Sequence, residues 1–106
     1  MPAVAVYSHR FLDEAGFTGS AAFLVPAGFV AVVRDLDCWV GAGAGGSIEM
    51  GIGGSAVFFG YTFSVVTVQA TATWRGRQVL NSGEQLLVAT DAPADFAVSG
   101  YLLSLP

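Results

Sequence analysis

Thr62-Phe63-Ser64-Val65-Val66-Thr67-Val68-Gln69-Ala70-Thr71-Ala72-Thr73-Trp74 settles into strict alternation over its second half. Val66, Val68, Ala70, Ala72 and Trp74 form an apolar row, and Thr67, Gln69, Thr71 and Thr73 form a polar one. A period of two sends successive side chains to opposite faces, so the stretch reads as a strand with one buried and one wet face. Antiparallel sheets tolerate a wet face, whereas parallel sheets are covered on both sides. The fold is therefore expected to be antiparallel β.

Outward from this strand the same text recurs. Phe29 to Val40 carries Val30, Val32, Leu36, Cys38 and Val40 on one side, with Asp35 and Asp37 on the other. Arg34 interrupts the apolar row and is expected to snorkel or to pair with an acid. Further strands are expected near Val4–Leu12, Ala21–Val25, Ser47–Ile52, Ala56–Tyr61, Gln78–Leu80, Gln85–Thr90 and Phe96–Leu105. The last is apolar on both faces, as a central or interface strand would be. No segment of helical length has an apolar stripe at i, i+3, i+4, i+7 opposite charge, so helices are not expected.

Leu24 to Val33 can be laid over Val79 to Val88: both read apolar, apolar, turn former, small residue, glycine, then strand. Pro26 and Gly28 in the first copy, and Asn81 and Gly83 in the second, are turn chemistry. A tight hairpin tip is also expected at Arg75-Gly76, with Gly76 supplying positive φ. A hairpin loop is expected at Asp91-Ala92-Pro93-Ala94-Asp95. Together these give an all-β chain: one domain over residues 1–106, a single antiparallel β-sandwich, jelly-roll-like, of eight or nine short strands.

Composition narrows the function. Hydrophobic residues make up 54 % and charged residues 11 % of the chain, against roughly 25 % charged in typical proteins. A small domain has much surface to cover, so some apolar surface is expected to pack against another copy or a neighbour. The net charge of −4, with four arginines and no lysine, gives no basic footprint for nucleic acid. The uncharged run from Met50 to Trp74 is long enough to cross a bilayer, but its glycines and its alternation read as sheet, not as membrane insertion. The start of the chain lacks the basic and apolar regions of a secretory signal.

Several catalytic patterns fail on chemistry. Gly41, Gly43 and Gly46 spell G-x-G-x-x-G, yet no helix start follows and no acid lies between Gly54 and Arg75 to hold a ribose. Pro26-Ala27-Gly28 resembles part of the cupin pattern, but His9 is the only histidine and cannot build the usual metal site. Asp35, Asp37, Asp91 and Asp95 leave a Ca²⁺ site open. Asp13-Glu14, Asp35/Asp37 and Asp91/Asp95 are carboxylate pairs of the kind glycosidases use, though strand-end acids facing water are commoner. Cys38, the single cysteine, lying between Asp37 and Trp39 in an apolar stretch, reads as a small buried hydrophobe. No G-x-S-x-G elbow is present. The chain is expected to be non-enzymatic and to need no cofactor. Tyr7, Phe11, Phe17, Trp39, Tyr61, Trp74 and Tyr101 are candidate sugar platforms; a carbohydrate-binding β-sandwich is the leading reading of a different class.

Three pieces of the C-terminal third carry a resemblance: Trp74-Arg75-Gly76-Arg77-Gln78-Val79-Leu80, then Ser82-Gly83-Glu84, then Ala97-Val98-Ser99-Gly100-Tyr101-Leu102-Leu103. In this order they resemble small all-β virion structural proteins of actinobacterial tailed phages, of the minor tail or head-decoration type. The resemblance implies a structural subunit made in the host cytoplasm and incorporated into the virion, in the tail rather than the capsid. Its expected partners are copies of itself and neighbouring virion proteins, with a host-surface glycan as a further candidate. Phe58, Phe59, Tyr61, Trp74, Arg75, Arg77, Tyr101, Leu103 and Leu105 are the expected interface residues.

Overall fold

The computed structural model describes residues 6–40, 47–53, 57–58, 63–64 and 70–105. Seven strands lie in these segments: β1 (Val6–Leu24), β2 (Phe29–Val40), β3 (Ser47–Gly53), β4 (Val57–Phe58), β5 (Phe63–Ser64), β6 (Ala70–Leu80) and β7 (Gln85–Ser104). The expected all-β class holds. All seven belong to one antiparallel sheet, which coils until it is nearly closed as a barrel.

β7 organises the sheet. One of its edges pairs with β1 from Val6↔Leu103 to Leu24↔Gln85. Its other edge is shared: residues 85–90 pair with β3, and residues 94–104 pair with β2. β6 extends the β2 side, and β4 and β5 extend the β3 side. Even-numbered residues of β7 point inward, and Leu86, Val88, Ala94, Phe96, Val98 and Leu102 are all core. Facing them are Val33 and Leu36 of β2, Ile48 and Met50 of β3, and Leu80 of β6.

Two segments expected to turn are strand instead, and the strands expected near Val4–Leu12 and Ala21–Val25 are parts of one, β1 (Val6–Leu24). Asp91 to Pro93 is not a hairpin loop but part of β7, at the point where it leaves β3 and joins β2. None of the three ladders on β7 registers a partner for Pro93. A proline, which has no N–H to donate, fits there without loss. Opposite, β1 is irregular between Glu14 and Gly19, where Gly16 (φ +59°) and Gly19 (φ +117°) take left-handed conformations. The bend brings the two ends of β1 together: the rings of Phe11 and Phe23 are 5.1 Å apart, and His9 lies 5.3–5.4 Å from both.

Arg75-Gly76 lies within β6 rather than at the expected hairpin tip. Gly76 is not among the glycines with positive φ. It is small for another reason: a Cβ there would sit 2.5 Å from the Trp74 indole, which covers it.

The two expected glycine corners are real and equivalent. Phe29 N–H donates to Pro26 C=O (3.2 Å) and Glu84 N–H to Asn81 C=O (3.1 Å), closing two four-residue turns. Gly28 (φ +84°) and Gly83 (φ +85°) hold the third position of each, where a type II turn requires positive φ. Pro26 is thus the first residue of its turn. The turns abut: Gly83 N–H donates to Val25 C=O, and the Ser82 hydroxyl to Phe29 C=O.

Candidate functional site

The outer face of the β1–β7–β2–β6 half collects most of the chain's charge. Its form depends on a bulge that the sequence reading did not place. On β2, Ala31 and Val33 point inward, but so do Leu36 and Cys38. The parity changes because Arg34 is an extra residue between the pairs Val33↔Gly100 and Asp35↔Ser99. Val32 is consequently on the outer side, not on the face of Leu36. β1 carries its own irregularity at the same level, with Phe11 between Arg10↔Ser99 and Leu12↔Val98. Gly100 sits at the tightest point. A Cβ there would collide with the backbone carbonyl of Val32 and crowd Arg34 N at 3.1 Å.

At one end of the face, Val6, Val32, Val79, Tyr101 and Leu103 line an apolar depression of about 390 Å³ together with Arg34 and Arg77. Val6 is 61 % exposed, Val79 46 % and Tyr101 40 %. Arg77 forms no ion pair with any described residue, and the buried Nε of Arg34 finds no acceptor among them. The middle is built from small residues of β7, Ala97 and Ser99, flanked by ion pairs. Arg75 bonds Asp37 Oδ1 (2.8 Å) and lies 3.3 Å from Asp35 Oδ1. It also donates to the carbonyls of Leu36 and Trp74. The hydrogen bond to Asp37 leads the effects that raise the Arg75 pKa above its ordinary value. Arg10 pairs with Asp13 at 3.0 Å.

The other end is acidic. Asp13, Glu14, Asp37 and Asp95 line a groove of about 470 Å³ with Trp39, Thr71 and Thr73. Trp39 is 41 % exposed. Asp95 accepts the Gly16 N–H at 2.7 Å and so pins the bend of β1. Cys38 lies beneath the groove; burial, and then the charge of Asp95, push its thiol up to about 11. That thiol is protonated at neutral pH, as the reading of a buried small hydrophobe expects. Among the described residues no group of three or more His, Cys, Asp or Glu is placed to hold a metal ion.

Of the expected interface residues, Arg77, Tyr101 and Leu103 meet in the apolar depression. Arg75 shares the face but is engaged with the chain's own Asp35 and Asp37, not left open for a neighbour's acids. Trp74 points inward, packed against the core. Leu105 is exposed at the turn end, its N–H donated to Gly28 C=O. Phe58 is placed only through its backbone in β4. Phe59, Tyr61 and the glycines of 41–46 lie outside the described residues.

The candidate sugar platforms divide similarly. Phe11 is core, Phe17 stands edge-on to Phe96 at 5.8 Å, and Tyr7 lies 6.4 Å from Phe29. Tyr7, Trp39 and Tyr101 are exposed on the surface. Sequence reading missed Val6, Val32 and Val79. For Val32 the signal was present in Arg34, whose break in the row marks the bulge.

No protein-family model matches this chain, and no curated protein sequence matches it.

Proposed function

We propose that this chain is a non-enzymatic structural subunit of a tailed-phage virion, a minor tail protein that assembles as a symmetric homo-oligomer. The observation that supports this reading best is the apolar depression of Val6, Val32, Val79, Tyr101 and Leu103, with Arg77 at its margin. Exposed apolar residues gathered in one patch, in a chain with so little charge, favour a role in which that patch is covered. The resemblance of residues 74–80, 82–84 and 97–103 to virion proteins supplies the setting. On this reading the coiled sheet does the work of a jelly-roll-like β-sandwich, presenting one face to neighbours while Gly100 lets β2 and β7 approach closely.

Mass spectrometry of purified, fractionated particles tests it. The chain is expected in the tail fraction; recovery with capsids supports the decoration-protein alternative, and absence from particles overturns both. A carbohydrate-binding module is a second reading, favoured by the exposed Trp39 beside Asp37, Asp95, Thr71 and Thr73. Binding on a glycan array that disappears in Trp39→Ala is the result this reading requires.

A further inference from the structure

We propose that two copies of this chain pair face to face through the outer surface of β1–β7–β2–β6, about a two-fold axis lying across the strands near Ala97 and Ser99. The proposal rests on the self-assembly reading above and names the surface and its geometry.

The argument is complementarity along the strands. All four arginines of the chain are on β1, β2 and β6 of this half, at its apolar end and middle. The acidic groove with Trp39 is at the opposite end. Tyr101 and Asp95, six residues apart on the outer row of β7, mark the two ends roughly 20 Å from each other. An axis parallel to the strands would set arginine on arginine and acid on acid. An axis across them inverts the levels. Tyr101 of one copy then meets the Asp95 level of the other, and Arg77 lies over Thr71 and Thr73, within reach of Trp39 and Asp37. Arg77 has no partner among the described residues, so this contact breaks no ion pair of the monomer. It offers the indole face of Trp39, which attracts a guanidinium, beside Asp37, a carboxylate that Arg75 already partners.

The centre suits close approach. Ala97 and Ser99 are small, and the charges beside them are already neutralised by Arg10–Asp13 and Arg75 with Asp35 and Asp37. Copies carrying −4 each repel in most orientations; this face, with four arginines against Asp13, Glu14, Asp35, Asp37 and Asp95, carries only −1 of that charge, so copies repel little across it. Four strands at about 4.8 Å spacing and about 25 Å of length give a footprint on the order of 500 Å² per copy, at the small end of specific interfaces.

Sedimentation velocity over a concentration series tests this on the full chain. Wild type is expected to pass from monomer to dimer as concentration rises. Arg77→Glu, at an exposed position, is expected to weaken the dimer about tenfold or more, as is Trp39→Ala at the other end of the face. Thr71→Arg is expected to weaken it alone and to restore it when combined with Arg77→Glu, because the swapped charges again oppose. Circular dichroism checks that each variant keeps its sheet. A wild type monomeric at every concentration overturns the proposal. An oligomer that persists unchanged in Arg77→Glu and Trp39→Ala overturns this face while leaving self-assembly standing. Absence from purified virions overturns the virion role while leaving a charge-swappable dimer intact.

Discussion

Gly100→Ala is the sharpest test of the bend in the sheet. A Gly→Ala change at negative φ ordinarily stabilises a protein by about 0.4–1 kcal/mol, because it restricts the unfolded chain. At Gly100 the added methyl meets the carbonyl of Val32 and crowds Arg34 N, both backbone atoms of the neighbouring strand. No rotamer change relieves that collision; β2 must move away from β7 at the bulge. The cost is expected at about 3 kcal/mol, the upper part of the overpacking range. For a domain of this size that lowers the melting temperature by roughly 12–24 °C. Gly76→Ala provides the internal comparison. Its methyl meets only the Trp74 indole, a side chain and not backbone, so a smaller loss of about 1 kcal/mol is expected. Urea denaturation of the two variants beside wild type measures both. A Gly100→Ala variant within about 0.5 kcal/mol of wild type, or less damaged than Gly76→Ala, refutes the close approach of β2 and β7.

Leu36→Ala removes a fully buried side chain beside the bulge and is expected to cost about 2–5 kcal/mol in the same assay. Gly83→Ala forces a methyl-bearing residue into φ +85° and is expected to cost about 1 kcal/mol, with Gly83→Asn losing less. Gly28→Ala is expected to behave alike, and a neutral result in both dissolves the equivalence of the two turns. Cys38, with its thiol at about 11, is expected to resist alkylation at pH 8, where on the order of one part in a thousand is thiolate, until denaturant exposes it. The native state holds this proton more tightly than the unfolded chain does. Its contribution to stability is therefore full below about pH 9 and is lost as pH rises towards 11. Cys38→Ala is expected to remove that part of the alkaline decline in melting temperature.

Periodicity carried the sequence reading wherever a strand stayed regular. The alternation that defines Thr71, Thr73 and Trp74 continues without a break to Leu80, and β7 keeps one parity through its core row. Irregularity is where the text failed. Arg34 was seen to interrupt a row, but an interruption has two physical origins, a polar residue on a buried face or an inserted residue that changes the face. Only pairing with β7 distinguishes them. Asp91–Asp95 and Arg75-Gly76 have turn composition, yet proline suits a gap in a ladder as well as it suits a loop. Glycine likewise serves beneath an indole as well as at a tip. The candidate face was half legible. Arg77, Tyr101 and Leu103 were expected together, whereas the gathering of Asp13, Asp37 and Asp95 around Trp39 depends on three different strands and leaves no local trace.

The place of β7 as common partner of β1, β2 and β3 governs when this molecule can form. Its pairing with β1 joins residues separated by almost the whole chain, Val6 with Leu103, and the ordering cost of such contacts comes before their reward. On the ribosome, β1 is made well before β7 and waits for this hydrogen-bonding partner until β7 emerges. β2 and β6 can zip together earlier, but the core row that would anchor them is not yet synthesised. Folding is therefore late and concerted, closing around the final strand rather than accumulating from the first.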